Sequence, residues 1–309
     1  MNPQLWNTIA LLVAISVASS IAVRLLLPRV LAWRGVWFTW HTRFGPALVF
    51  DHQDDDGTPV RLLNVGGTFQ SVCYTDEDLL WDLVCEYHRT WALAVHAIWP
   101  LHRDSHDEDA NAVEAPLHRA LVMGGGGFSF PKWMVAYRPD FCCETVEIDP
   151  KIVEIARDRL FLAELERRFC VGSNGRLRIV VSDAWAHLKN YQETYDLIVN
   201  DAFGGRRPMG GMDTQEGVRH LAQHLTASGV YVGNVRTPLE GKHARPLYAM
   251  QNALQETFDH VWLVPERPEN PLELGNNTLV ASNVDLDLST IEGIRQQTHE
   301  KEDGLWPTT

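Results

Sequence analysis

The five cysteines, Cys73, Cys85, Cys142, Cys143 and Cys170, form no Cys-x-x-Cys pair, and their number is odd. Cys142 and Cys143 are adjacent, and neighbours on one strand point to opposite faces. This pattern argues against a disulfide framework or a zinc knot and for free thiols in a reducing compartment. Positive charge is also scarce: 27 Lys and Arg face 40 Asp and Glu, a net charge of -13 over 309 residues. A surface of that sign repels a phosphate backbone, so nucleic acid is not an expected partner. Three histidines and several acids lie between 99 and 119 without a firm ligand spacing, so a solvated loop is expected there and no metal. No internal repeat is present. With 45% apolar residues and no excess of Gly or Pro, the chain is a folded one.

Charge is absent altogether from Leu5 to Val23, LWNTIALLVAISVASSIAV, and those 19 residues reach the lower limit for a membrane span. No basic residue precedes them, as a signal peptide would require, while Arg24, Arg29 and Arg34 follow. The positive-inside rule then predicts a single-pass anchor in the cytoplasmic membrane with the rest of the chain in the cytoplasm. A cleaved signal and a buried or oligomer-forming helix are the other readings.

The remainder divides by pattern. Apolar runs split by Gly, Pro and Asp fill 36–70, with Asp54-Asp55-Asp56-Gly57 between ALVF and VRLLNV. The spaced ligands of a calcium loop are missing, so a hairpin turn in a small antiparallel sheet is expected. Asp76 to Ala97 has helical periodicity through Leu79, Leu80, Leu83, Val84 and Tyr87. From 120 onward, ALVM, CCETVEI, LRIVV, YDLIVN, GVYVGNV, HVWLVPE and NTLVASN read as strands. FPKWMVAYR, the long run after Asp149-Pro150, and residues 214–226 read as helices. Strands alternating with helices imply an α/β fold with a mostly parallel sheet covered on both faces. The expected boundaries are 1–34 for the anchor and its basic flank, 35–75 for the small β domain, and 76–119 for a helix and linker. A main domain at 120–290 and a polar tail at 291–309 complete them.

Ligands on such sheets bind beyond the carboxyl ends of the strands. Four features fall there: the turn Gly124, Gly125, Gly126 and Gly127; Glu147 after the next strand; Asp183 after the third; Asp201 after the fourth. Glycines permit close backbone approach, and a strand-end carboxylate accepts hydrogen bonds from ribose hydroxyls. Each has a plainer explanation as a tight turn, a solvated strand end or a helix cap, as at Asp149 before Pro150. Four at successive strand ends point to a nucleoside ligand. Ser129 stands where a dinucleotide fingerprint has its third glycine, and spacing alone leaves NAD and S-adenosylmethionine about equal.

The segments RLLNVGGTFQSVCYTDED, ALVMGGGGFSF, VEIDPKIVEIARDRL, RIVVSDAWAHL, YDLIVNDAF and SGVYVGNV, in this order over residues 40–282, resemble the spermidine synthase family. That resemblance implies a class I methyltransferase-like, Rossmann-like fold: a mixed seven-stranded sheet behind a small β domain. It also implies S-adenosylmethionine or its decarboxylated form as co-substrate, and a homodimer. By resemblance, Gln70 and the glycines approach the donor's amino end, and Glu147 binds ribose. Asp183 and Ala184 flank adenine, and Asp201 deprotonates the attacking amine. Gly127 stands in place of the family's turn aspartate, and Gly204 in place of a second aspartate after YDLIVND. Leu80 and Asp82 fall where the family's first helix carries tyrosine and glutamate. A buried polyamine needs carboxylates, so these departures predict alkyl transfer, methyl or aminopropyl, to an acceptor other than ordinary putrescine. Genuine polyamine aminopropyl transfer, or a non-catalytic nucleoside-binding scaffold at the membrane, are the alternatives. GGGG-x-x-FP with NDAF and TQE also resembles spermidine synthase-like domains of multi-span membrane proteins. Lys132 is a candidate for reading the donor carboxylate, with a plain surface lysine as the other reading. Trp81, Trp91, Trp99, Trp133 and Trp185 are better read as core than as an acceptor pocket, and His88, His96 and His220 form no ordered triad.

Overall fold

The computed structural model describes residues 3–101, 118–169, 175–204, 207–208, 211–212 and 214–297. The expected loop at 99–119 lies largely outside the described residues, as does Cys170. Helix α1 (Pro3–Trp33) leads the chain. Its Ser16–Trp33 stretch has mean hydropathy 1.3 and none of it is buried against the rest of the protein. By length and composition it is able to cross a membrane.

Strands β1 (Trp37–Thr42), β2 (Gly45–Gln53), β3 (Pro59–Val65) and β4 (Thr68–Tyr74) form an antiparallel meander. The aspartate-rich segment is its β2–β3 turn, where Asp54 Oδ1 accepts from the Asp56 and Thr58 amides. Ala47, Val49, Leu63 and Val65 pack on Ile152, Ile155 and Leu160, which seats the meander on the main domain.

The helix expected from Asp76 is shorter. An Asx turn, Asp76 Oδ1 accepting from the Asp78 amide, holds the first part in turns, and α2 spans only Glu86–Ile98. The main sheet has β5 (His118–Met123), β6 (Phe141–Glu147), β7 (Leu177–Val181), β8 (Tyr195–Asn200), β11 (Leu225–Thr237), β12 (His260–Val264), β13 (Gly275–Ser282) and β14 (Arg295–Gln297). Its order is β14-β12-β13-β11-β8-β5-β6-β7. Strands β11, β8, β5, β6 and β7 pair in parallel, and β13 is antiparallel to both β11 and β12. The expected seven strands thus gain an eighth, β14, within the segment expected to be a tail. Phe203–Gly204 and Arg207–Pro208 form a short separate pair, β9 and β10.

Helices α3 (Ser129–Tyr137), α4 (Pro150–Arg159), α5 (Leu162–Arg168), α6 (Ala184–Asn190), α7 (Gln215–Ala222) and α8 (Arg245–Gln255) accompany this sheet. Strand alternation divides the core. Ala120 and Val122 join the cluster holding Trp91, Phe130 and Trp133. Leu121 and Met123 join Leu188, Leu221 and Leu254 on the other face. Trp81, Trp91 and Trp133 are buried core residues, as expected.

The single helix expected after Pro150 breaks in two at Phe161, which has φ 64°. The broken end frees the Leu160 carbonyl, which accepts from Lys132 Nζ at 2.6 Å. Lys132 is therefore neither a surface residue nor a reader of the donor; it is a buried residue of α3 whose ammonium reaches the end of α4. Desolvation lowers its pKa. A base with a depressed folded pKa binds fewer protons when folded, so stability rises with pH between that value and the ordinary 10.5. K132M, close in volume, should flatten this rise when denaturant midpoints are compared across alkaline pH. An unchanged slope would assign the titration to another group.

Candidate functional site

The carboxyl ends of the parallel strands border one cavity of about 870 Å³. Every residue expected at the site lines it: Gln70, Gly124, Gly125, Gly126, Glu147, Asp183, Ala184 and Asp201. With neighbouring strands about 4.8 Å apart, the groups form a row across β7, β6, β5, β8 and β11.

The glycine turn is built around Glu147. Its Oε2 accepts from the Gly125 amide at 2.9 Å and the Gly126 amide at 3.0 Å, and its Oε1 accepts from the Asp149 amide at 2.9 Å. An ionised carboxylate has roughly four acceptor positions, which leaves room for a ligand hydroxyl. Burial pushes the Glu147 pKa up, and the three backbone donors oppose that shift. Gly124 has φ +96°, and a Cβ there would lie 2.6 Å from the Asp201 carbonyl oxygen. The close approach of the turn to β8 requires glycine at this position.

Asp149 caps α4 by accepting from the Lys151 amide at 2.9 Å, as its plainer reading expects. Its other oxygen accepts from the Arg43 amide at 2.6 Å and ties the β1–β2 turn to the site. Asp183 caps α6 through the Ala186 amide at 2.9 Å, and it still borders the cavity.

Position 127 has no room for the missing turn acid. A Cβ on Gly127 would overlap the Ser71 side chain and lie 3.0 Å from Leu160. Ser71 is itself fixed, with its hydroxyl 3.1 Å from that of Ser129, which donates to the Val72 carbonyl at 2.9 Å. The β domain thus fills the place an aspartate would need.

Leu80 and Asp82 do not line the cavity. Leu80 is buried in the core, and Asp82 accepts from Tyr137. Tyr87 and His88, in the first turn of α2, hold the place beside Asp201. The Tyr87 hydroxyl donates to Asp201 Oδ2 at 3.3 Å, and His88 Nε2 lies 3.7 Å from the same oxygen. Desolvation, with the Asp201 and Glu266 charges, raises the Tyr87 pKa well above 10, so the phenol keeps its proton. Asn234 Nδ2 donates to Asp201 Oδ1 at 3.2 Å and contacts Asn276 Oδ1 at 3.4 Å. Asn276 in turn donates to Glu266 through its side chain at 3.1 Å and its backbone at 2.7 Å.

Asp201 and Glu266 are thereby joined through two amides at one end of the cavity. Sequence reasoning missed Tyr87, His88, Asn234, Asn276 and Glu266 as site residues. The adjacent Tyr-His at a helix start was the signal available for the first two. The others gain meaning only from strand register: Asn234 lies opposite Thr278, and Asn276 opposite Arg236.

Position 127 gives a direct test. G127D should lower the melting temperature sharply by circular dichroism, because Ser71 and Leu160 leave no room for the side chain. Ser71→Gly in the same chain should recover part of the loss. No recovery would show that Ser71 is not the obstruction.

The sequence profile of the spermine/spermidine synthase domain matches residues 112–270. The polyamine aminopropyltransferase of Moorella thermoacetica is 30% identical over 139 residues, 45% of this chain and 47% of that protein. That of Alkaliphilus metalliredigens is 27% identical over 149 residues, 48% of this chain and 50% of that protein. The chain spans about half the length of the curated relatives it matches. A probable spermidine synthase from Corynebacterium glutamicum superposes with a TM-score of 0.64 at 20% identity, over 85% of this chain and 90% of that one. Spermidine synthase from Thermotoga maritima gives 0.56 at 14% identity, over 82% and 75%. These two structures share the fold.

Proposed function

The chain belongs to the spermine/spermidine synthase domain family, and from this premise and the cavity we propose a transferase that moves an aminopropyl group from decarboxylated S-adenosylmethionine to an amine. The observation that carries the reading is Asp201 in the same cavity as the Glu147-bound glycine turn, held by Tyr87 and Asn234. Glu147 accepts from the ribose hydroxyls, while Asp183 and Ala184 flank adenine. Gln70 and the glycine turn receive the donor's amino end.

The acceptor arrives as an ammonium ion, which has no lone pair. Asp201 takes its proton. The freed nitrogen pair attacks the methylene carbon beside the sulfonium, a C–N bond forms, and the C–S bond breaks. The bonding pair stays on sulfur and leaves a neutral thioether, methylthioadenosine. Tyr87, protonated, and Asn234 hold the Asp201 carboxylate toward the reacting nitrogen. Asp201 and Glu266 together supply negative charge to a cationic acceptor and donor.

A second reading keeps the same cavity and changes the acceptor or donor. The uncharged turn at Gly127, closed by Ser71, favours alkyl transfer to an acceptor other than putrescine. In both readings α1 anchors the enzyme to a membrane with the catalytic domain in the cytoplasm. Carbonate washing should leave the full chain in the membrane pellet and release a chain that begins at Val36.

Calorimetric titration of detergent-solubilised protein with decarboxylated and intact S-adenosylmethionine tests the donor. Mass spectrometry for methylthioadenosine tests transfer. D201N should retain donor binding within a few-fold and lose about 10²–10⁴ in turnover, with Y87F losing less. Binding of neither donor by folded protein would leave a scaffold domain instead. Full turnover in D201N would remove Asp201 from the chemistry.

A further inference from the structure

Asn234 and Arg236 are two residues apart on β11, so both side chains leave the same face of the sheet. That face carries Val230 and Val232 into the cluster beneath α2 and then opens into the cavity. Asn234 holds Asp201. Arg236 lies one step further toward the strand end, on the order of 7 Å along the chain.

Arg236 lines the cavity and is exposed to it. No hydrogen bond or ion pair engages its guanidinium among the described residues. Glu266 is committed to Asn276 and Asp201 to Tyr87 and Asn234. His243 also lines the cavity. Strand order keeps this cation away from the ribose site. Between β6, which carries Glu147, and β11 stand β5 and β8, a separation of roughly 14 Å at three strand spacings.

An arginine with no partner among the described residues, one strand step beyond the Asn234 that holds Asp201, is a poor neighbour for a diammonium ion and a good one for an anion. The guanidinium offers a planar fork of donors that matches a carboxylate or phosphate. We propose that the acceptor is zwitterionic, an amine that also carries an anionic group, with the amine at Asp201 and the anion on Arg236. This rests on the aminopropyl-transfer reading and names the substrate class of that same site. It also gives the neutral turn at Gly127 a counterpart: the cavity that lacks the turn acid is lined by Arg236 together with Glu86, Asp201 and Glu266. The chemistry is unchanged by the anion, which neither gains nor loses a bond.

Ornithine and putrescine make the comparison, because ornithine is putrescine with a carboxylate on a terminal carbon. Binding of each is measured by calorimetry to the full-length protein saturated with methylthioadenosine, and turnover is measured with decarboxylated S-adenosylmethionine. The wild type should bind ornithine about ten- to a hundredfold more tightly than putrescine, the range of one charge-assisted contact. R236Q should lose that preference, and R236E should invert it toward putrescine. Phosphoethanolamine in the same titration distinguishes a phosphate from a carboxylate as the preferred anion.

Equal or stronger binding of putrescine by the wild type, or a preference that survives R236Q, would overturn the proposal while leaving aminopropyl transfer intact. Weaker binding of intact S-adenosylmethionine by R236Q, with acceptor preference unmoved, would assign the arginine to the donor and equally overturn it. Binding of methylthioadenosine without binding of any of the three amines would overturn both readings of the acceptor site.

Discussion

The arrangement depends on one buried carboxylate. Glu147 gathers the amides of Gly125, Gly126 and Asp149, and this fixes the turn after β5 against the end of β6. From there the constraints spread. Gly124 comes close enough to the Asp201 backbone to exclude any side chain. Gly127 meets Ser71 of the β domain, and Asp149 binds the Arg43 amide from the same domain. Burial opposes ionisation of Glu147, while its backbone donors favour the charged form. Three fixed donors hold the carboxylate in one orientation.

The other half of the cavity is organised by side chains instead of backbone. Glu266, Asn276, Asn234, Asp201 and Tyr87 form a continuous chain of hydrogen bonds from the β12–β13 connection to the start of α2. Such a network sets the direction of each carboxylate oxygen, because every amide has a defined donor end. Backbone amides thus organise the glycine-turn end of the cavity, and side chains, Glu266 and Arg236 among them, line the Asp201 end.

Much of this was legible from residue order. The strand ends carrying Glu147, Asp183 and Asp201 followed from alternation of apolar strands and amphipathic helices, and all three border the cavity. The hairpin at Asp54 and the caps at Asp149 and Asp183 are local and were visible in the same way. The helix from Asp76 was read too long, because an Asx turn competes locally with helical hydrogen bonding. Tyr87 and His88, in the first turn of the shortened helix, stand beside Asp201 instead. Lys132 was misplaced because its partner, the Leu160 carbonyl, exists only where α4 breaks before α5.

By itself the sequence determined the class of fold, the family, and the row of glycines and acids at the strand ends. Periodicity and strand-end position are properties of contiguous residues, so they survive without coordinates. Only the tertiary structure decided what surrounds Asp201, that position 127 has no room for a side chain, and that Arg236 faces the cavity with no partner among the described residues. Those facts depend on the pairing of β11 with β13 and on the seating of the β domain over the glycine turn. Both bring together residues distant in sequence, through packing that no local pattern encodes.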